Sequence, residues 1–260
     1  MAFDAAGVLW GVENGADRLK RADLGGDIHQ DNPAEELNKF DGAVGTHYGY
    51  PWCWTEYELP AEYGMGRGTV WAWPDTMNTF RNDDWCRTNS RLPELSMQGH
   101  SAPLGLTFFD KNAVANGPDE AFCSGIGGTF PSGRDGDLYI GFHGSWNRDI
   151  PTGYKVVHVP FDGPGGSPIG EVIDLFWHGG NGARWPSRVR PVDVAFDRCG
   201  RLLVSDDGAG FIFLISFDGT VSPSEESKET SEFSGKSSSD QSKTSLWLNA
   251  VVLCIAVLWF

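Results

Sequence analysis

Apolar positions in this chain fall in short runs broken by Gly, Pro, Asn and Asp. "VLWGV", "ELNKF", "GLTFF", "DLYIGF", "YKVVHVPF", "VDVAF", "RLLVS" and "GFIFLISF" are the clearest. Runs of this length, rich in β-branched and aromatic residues and bounded by turn formers, predict strands. The pattern also repeats. Residues 2–16, "AFDAAGVLWGVENGA", align without a gap on residues 195–209, "AFDRCGRLLVSDDGA", with seven of fifteen positions identical. Each copy reads as a strand ending in Phe-Asp, a Gly turn, and a second strand ending in an acidic, Gly-containing loop. A looser copy starts at "GLTFFD" (residues 105–110) and resumes at "GDLYIGFHGSW" (residues 136–146). "ELNKF", "YKVVHVPF" and "GFIFLISF" supply a further strand for each copy.

Strand clusters that resemble one another and are joined by long, unequal loops predict an all-β fold, a β-propeller. One blade cannot bury both of its faces and needs a neighbour on each side. Three copies are fewer than the four to eight blades of a closed ring, so the expectation is about three blades of a larger propeller over residues 1–220. The first copy opens partway through a blade and is expected to lack that blade's early strands. Gly at 34 and Pro at 15 agree with many turns. A net charge of −15 argues against a nucleic-acid partner, because the chain would repel phosphate.

From residue 221 the composition changes. Residues 221–245 are rich in Ser, Glu and Lys, with almost nothing to bury, and predict a disordered stalk. Residues 246–260, "LWLNAVVLCIAVLWF", are apolar but short for a membrane span of about 20 residues. Small residues near Ser234 to Ser239, a polar spacer and a terminal apolar tail form the signal for a GPI anchor, with the tail removed. This predicts an extracellular, cell-surface protein attached to the membrane by lipid. Four cysteines precede the stalk: Cys53, Cys86, Cys123 and Cys199. No CxxC or Cys/His spacing suits zinc, so two disulfides in an oxidising compartment are expected. Three pairings are open; Cys53 with Cys86 is preferred, because both flank one Trp-rich insertion.

Five stretches occur in order: "DNPAEELN", "YGYPWC", "HSAPLGLTFF", "GDLYIGFHGSWNRDIPTGYKVVHVPF" and "RPVDVAFDRCGRLLVSDDGAGFIF". Together they resemble the pyrroloquinoline quinone (PQQ)-dependent sugar dehydrogenases, nearest to the fungal pyranose and sorbosone dehydrogenase type. The resemblance spans roughly residues 1–218 and looks like the later half of a six-bladed propeller. It implies PQQ and Ca²⁺ near the central axis and oxidation of a pyranose substrate. It also implies electron transfer to an external acceptor such as a cytochrome haem.

The resemblance places Gly15 and Ala16, in "VENGAD", where the family offers backbone carbonyls to Ca²⁺, which accepts such oxygens. Unaided, Asn-Gly reads as a turn. "RVRP" sets Arg188 and Arg190 two apart, on one side of an extended segment. Two guanidinium groups there suit a tricarboxylate such as PQQ; the plainer alternative is a pair of surface arginines bridged to Asp. His143 and Arg148, in "FHGSWNR", and His100, in "GHSAP", are further candidates for the cofactor pocket, with a structural role as the alternative for both histidines. Most aromatics of the Trp-rich insertion read as packing, with Trp52 or Trp54 as candidates for stacking a sugar. "DDG" (residues 206–208) reads as a turn. The family's catalytic base, a His from an early blade, is expected upstream; none of the six His here matches its motif.

Overall fold

The computed structural model describes residues 1–115, 122–124, 127–179 and 183–217, together with the backbone of 250–256. The predicted stalk over 221–245, with the anchor-attachment region, lies outside the described residues. Three four-stranded antiparallel meanders organise the chain. The first sheet joins Ala2–Phe3, Leu9–Glu13, Glu35–Lys39 and Leu95–Met97. The second joins Pro103–Phe108, Leu138–Phe142, Lys155–Val159 and Ile173–Phe176. The third joins Pro191–Phe196, Leu202–Asp206, Phe211–Phe217 and Ala250–Ala256.

The internal repeat is a repeat of hydrogen bonds. Phe3 pairs with Leu9, and Phe196 pairs with Leu202. Asp4 Oδ1 accepts from the backbone N–H of Ala6 and Val8, both at 2.9 Å. Asp197 Oδ1 accepts from Cys199 and Arg201 at 2.8 and 3.0 Å, the same two offsets. Both turns close on a Gly in the left-handed region, Gly7 at φ 77° and Gly200 at φ 70°. The Phe-Asp and Gly identities are thus the parts that form this hairpin turn.

The expectation that the first copy lacks its early strands is corrected. Its sheet has four strands, although the inner one is short: two residues, against six in Pro191–Phe196. The fourth strand, Leu95–Met97, returns after a long insertion. The apolar tail, expected as a removed anchor signal, contributes Ala250–Ala256 as the fourth strand of the third sheet, pairing from Phe217↔Ala250 to Phe211↔Ala256. Among the described residues no helix is long and apolar enough to cross a membrane.

The sheets stack face to face through the second. Leu138, Ile140 and Phe142 join Trp10, Leu37 and Met97 in one core cluster. Tyr139, the intervening residue, joins Phe130, Val194 and Leu202 in another. The period-two alternation of a strand therefore serves both neighbours, and all five residues of Leu138–Phe142 are buried. Inner strands also approach closely: any Cβ on Gly105 would overlap Asp193 of the third sheet.

The insertion between Lys39 and Leu95 builds its own small core. Cys53–Thr55 pairs with Val70–Ala72, and the disulfide Cys53–Cys86 ties this ribbon to the helix Asp83–Asn89. Asn82 caps that helix, its side chain accepting from Trp85 N at 2.9 Å. Asp83 accepts from Ala72 N at 2.7 Å and pairs with the buried Arg21 at 2.9 Å. The preferred Cys53–Cys86 pairing is the one formed, and Cys123–Cys199 is the second bridge.

Candidate functional site

Antiparallel pairing puts the end of each sheet's second strand beside the start of its first: Phe142 opposes Pro103, and Asp206 opposes Pro191. The loops there adjoin across the sheets. Asn14 Nδ2 donates to Pro103 O at 3.2 Å, joining the first sheet to the second. His143 Nε2 lies 2.9 Å from Asp207 Oδ1, joining the second to the third. The sequence candidates collect at this end in three neighbouring groups.

The first group lines a cavity of about 390 Å³ walled by Arg184, Arg188, Arg190, Trp146, Tyr154 and Trp185. Arg190 donates from Nε to His143 O at 3.2 Å and from Nη2 to Gly144 O at 2.9 Å. Its backbone N–H is held by the Asp206 carboxylate. Arg184 Nε donates to the Tyr154 hydroxyl at 3.1 Å, and Trp185 Nε1 donates to Tyr154 O at 2.7 Å. The guanidinium groups of Arg184 and Arg190 both lie over the Tyr154 ring, at 5.8 and 5.6 Å. Arg188 makes no side-chain hydrogen bond or ion pair among the described residues, so the alternative of surface arginines bridged to Asp does not describe it. Arg188 and Arg190 do share a wall, but not by the alternation of an extended strand. Arg188 has φ 65°, in the left-handed region, and the strand begins only at Pro191. Gly208 is required beside them, since any Cβ there would overlap the Arg188 carbonyl. "DDG" is a turn built on Asp206, whose carboxylate also accepts from Gly208 N and Ala209 N at 3.2 and 2.8 Å.

His143 stands at the edge of this group through its carbonyl and its contact to Asp207. Arg148 and His100 do not enter the cavity. Arg148 Nη2 pairs with Asp31 at 2.6 Å. His100 is 5% exposed, with Nε2 3.0 Å from Asn32 O and Nδ1 3.4 Å from Asp17 Oδ1. These two residues belong to a second group on the first-sheet side, with His29, Asp17 and Asn147.

The third group surrounds Gly15 and Ala16, which line a cavity of about 280 Å³ with Glu13, Glu36, Trp54 and Trp73. Gly15 is not in the left-handed region. The position needs Gly because a Cβ would come within 2.5 Å of Pro33 Cγ. Its N–H donates to Glu35 Oε2 at 2.7 Å. The carbonyl oxygens of Gly15 and Ala16 accept no hydrogen bond among the described residues, so both are available to a cation. Burial pushes the Glu35 carboxyl up to about 8, against the N–H donors that oppose the shift. Glu13 faces Glu36 across the strand pair and is pushed up to about 7, by burial first and then by that neighbouring carboxylate. Burial also raises Glu36, which accepts from Thr55 Oγ1 and, at 3.1 Å, from Asn38 Nδ2.

Trp54 lines this cavity but is 4% exposed, stacks near Trp71 with centroids 6.2 Å apart, and donates to Ala72 O at 3.0 Å. Trp52 packs edge-on to Trp85 with Arg81 over its ring. Both act as packing in the insertion. Sequence reasoning missed Arg184, Trp146 and Tyr154 in the arginine cavity, and Asp17 and His29 in the second group. "WNR" and "ENGAD" were singled out for their other residues, and nothing in spacing joins Asp17 to His100.

A TrAA12-like family profile matches residues 1–218. The chain belongs to the TrAA12-like family. It is 33% identical over 163 residues to a pyrroloquinoline quinone-dependent pyranose dehydrogenase of Coprinopsis cinerea, covering 60% of this chain and 19% of that protein. It is 32% identical over 225 residues to a pyrroloquinoline quinone-dependent sugar dehydrogenase of Hypocrea jecorina, covering 80% and 44%. The holo PQQ domain of the Coprinopsis cinerea pyranose dehydrogenase superposes with a TM-score of 0.62 at 28% identity, over 82% of this chain and 52% of that one. A calcium structure of the Trichoderma reesei AA12 enzyme gives 0.60 at 30% identity, over 80% and 48%. The chain thus spans about half the length of the solved structures and less than half of these two curated relatives.

Proposed function

We propose that this TrAA12-like chain supplies part of the cofactor pocket of a PQQ- and calcium-dependent sugar dehydrogenase built as a six-bladed propeller. The observation that carries the reading is the arginine cavity, in a family whose relatives are named for PQQ. Three guanidinium groups, one without a partner among the described residues, with the Trp146 and Tyr154 rings beside them, suit a flat polycarboxylate. Arg188 is free to take one carboxylate. Arg190 is oriented by the His143 and Gly144 carbonyls, so it is positioned before any ligand arrives. The unengaged carbonyls of Gly15 and Ala16 are the candidate Ca²⁺ ligands, and Glu35 fixes their loop through the Gly15 N–H. When bound, PQQ supplies a two-electron acceptor for oxidation of a sugar alcohol or hemiacetal carbon; an external acceptor, such as a cytochrome haem, would then take the electrons singly. The base that removes the hydroxyl proton would come from earlier blades, within hydrogen-bond reach of that proton.

His143 is proposed at the edge of the pocket, with Arg148 and His100 shaping the adjoining loop. The two disulfides suit an oxidising compartment, and with the sequence of 221–260 they support display at the cell surface through a GPI anchor. The test is dye reduction by the intact protein with PQQ and Ca²⁺ across a panel of pyranoses. Sugar-dependent reduction that requires both additions is expected. Reduction with no sugar on the panel, or activity indifferent to PQQ, would refute the reading.

A further inference from the structure

Asp17, His29 and His100 meet at one point although they come from three separate turns. Each offers one ligand atom, and these atoms lie within 4.8 Å of one another. We propose that they form a binding site for a late first-row divalent cation, of the class of Zn²⁺ or Cu²⁺.

The donor set selects the class. Two imidazole nitrogens and one carboxylate oxygen suit borderline transition metals, whereas Ca²⁺ takes oxygen alone. The neighbouring Gly15 and Ala16 carbonyls are an all-oxygen set and remain a separate site. Both histidines are buried while Asp17 is exposed, so a cation entering past Asp17 meets a half-enclosed pair of nitrogens. The His29 and His100 rings pack with centroids 4.2 Å apart.

The surroundings hold His100 as a metal-ligating histidine is held. His100 Nε2 donates to Asn32 O at 3.0 Å, which leaves the Nδ1 lone pair on the Asp17 side, 3.4 Å from Oδ1. His100 is fixed at φ 60°, in the left-handed region, by the turn that precedes the second sheet. His29 is bracketed by Arg18 N–H, which donates to Nδ1 at 3.0 Å, and by Asn147 O, 3.2 Å from Nε2. One of those two contacts gives way when a metal binds. Asn147 also donates from Nδ2 to Asp17 Oδ1 at 2.7 Å. Its own Oδ1 is buried with no hydrogen-bond partner among the described residues, on the same amide that touches Asp17. Zn–N bonds of about 2.0–2.1 Å set tetrahedral ligand atoms about 3.4 Å apart, so the widest separation here closes by roughly 1.5 Å when a metal binds. The site would pin the segment 17–29 to the turn at His100, joining the first sheet to the second.

The inference rests on this geometry and not on sugar oxidation. The test is calorimetric titration of the intact, chelator-stripped protein with Zn²⁺ in the presence of excess Ca²⁺. One Zn²⁺ per chain is expected, undisplaced by Ca²⁺, with affinity falling at least tenfold in each of Asp17→Asn, His29→Ala and His100→Ala. Unchanged Zn²⁺ affinity in all three variants, or Ca²⁺ displacing Zn²⁺ at equal concentration, would overturn it. Should a variant fail to fold, electron paramagnetic resonance of the unaltered protein loaded with one Cu²⁺ decides. Hyperfine coupling to two imidazole nitrogens supports the site, and an oxygen-only spectrum refutes it.

Discussion

The second strands of the three sheets occupy the same place in the repeat and are buried in different ways. Leu138–Phe142 is buried at every position, Leu202–Asp206 at alternate positions, and Leu9–Glu13 chiefly at Trp10 and Gly11. The difference comes from neighbours. The second sheet has one on each face and splits its side chains between two cores. The first and third sheets each share one face with it. The first sheet's other face carries Glu13, Glu36 and Asn38 instead of a hydrocarbon layer. A unit of this kind draws its stability from stacking, so the middle sheet should respond most to substitution and the outer sheets least.

A fully buried and a half-buried truncation give the largest contrast. Ile140→Ala, fully buried between the first and second sheets, should cost about 2–5 kcal/mol. Leu203→Ala, half-buried on the third sheet, should cost about 1 kcal/mol or less. Urea unfolding of the intact protein measures both, and equal losses would break the argument from neighbours. The insertion is stapled where the sheets are stacked. Replacing Cys53 and Cys86 together by Ser should cost about 2–5 kcal/mol in the same assay, while the spectroscopic signal of the sheets persists.

The repeated turn offers a finer test. Asp4→Ala leaves two backbone N–H groups without their acceptor and strands Trp10 Nε1, which donates to Asp4 at 2.9 Å, while Asp197→Ala frees the two matching N–H groups and takes the carboxylate from the buried Arg201, which donates from Nε at 2.8 Å. Asp4→Ala should cost roughly 1–3 kcal/mol, and Asp197→Ala more, because the partner that loses its carboxylate is a buried charge. The smallest expected effect concerns Glu36. Its carboxyl is raised above 4.5 by burial, so the folded state binds more protons than the unfolded state above that pH. Stability should therefore fall as the pH rises from about 4.5. Glu36→Gln should flatten that slope, and an unaltered slope would show that the Glu36 face is wet.

Much of the fold was legible because the repeat is physical. Phe3, Asp4, Gly7 and Leu9 recur as Phe196, Asp197, Gly200 and Leu202 because the same turn needs the same carboxylate and the same left-handed Gly. The Cys53–Cys86 bridge followed from its flanking position. The fourth strands were not legible. Leu95–Met97 is three residues long and follows an insertion, and Ala250–Ala256 lies in an apolar tail with no turn signal to set it out as a strand. In the site, Arg188 and Arg190 were read correctly as sharing a side, although the cause is the φ of Arg188 and not strand alternation. Unaided, Asn14-Gly15 reads as a turn, but Gly15 is demanded by the close approach of Pro33. Asp17, His29 and His100 meet only through the fold, and Arg148 is turned away by Asp31, a partner that spacing does not reveal.

Arg188 and Arg190 are proposed to hold an anionic cofactor. This is tested most directly by titrating PQQ into the intact Ca²⁺-loaded protein and following quenching of tryptophan fluorescence, with Trp146 in the same cavity as reporter. Saturable binding is expected, weakening at least tenfold in Arg188→Ala and further when Arg190→Ala is added. Equal PQQ affinity in the unaltered and doubly substituted proteins would contradict it.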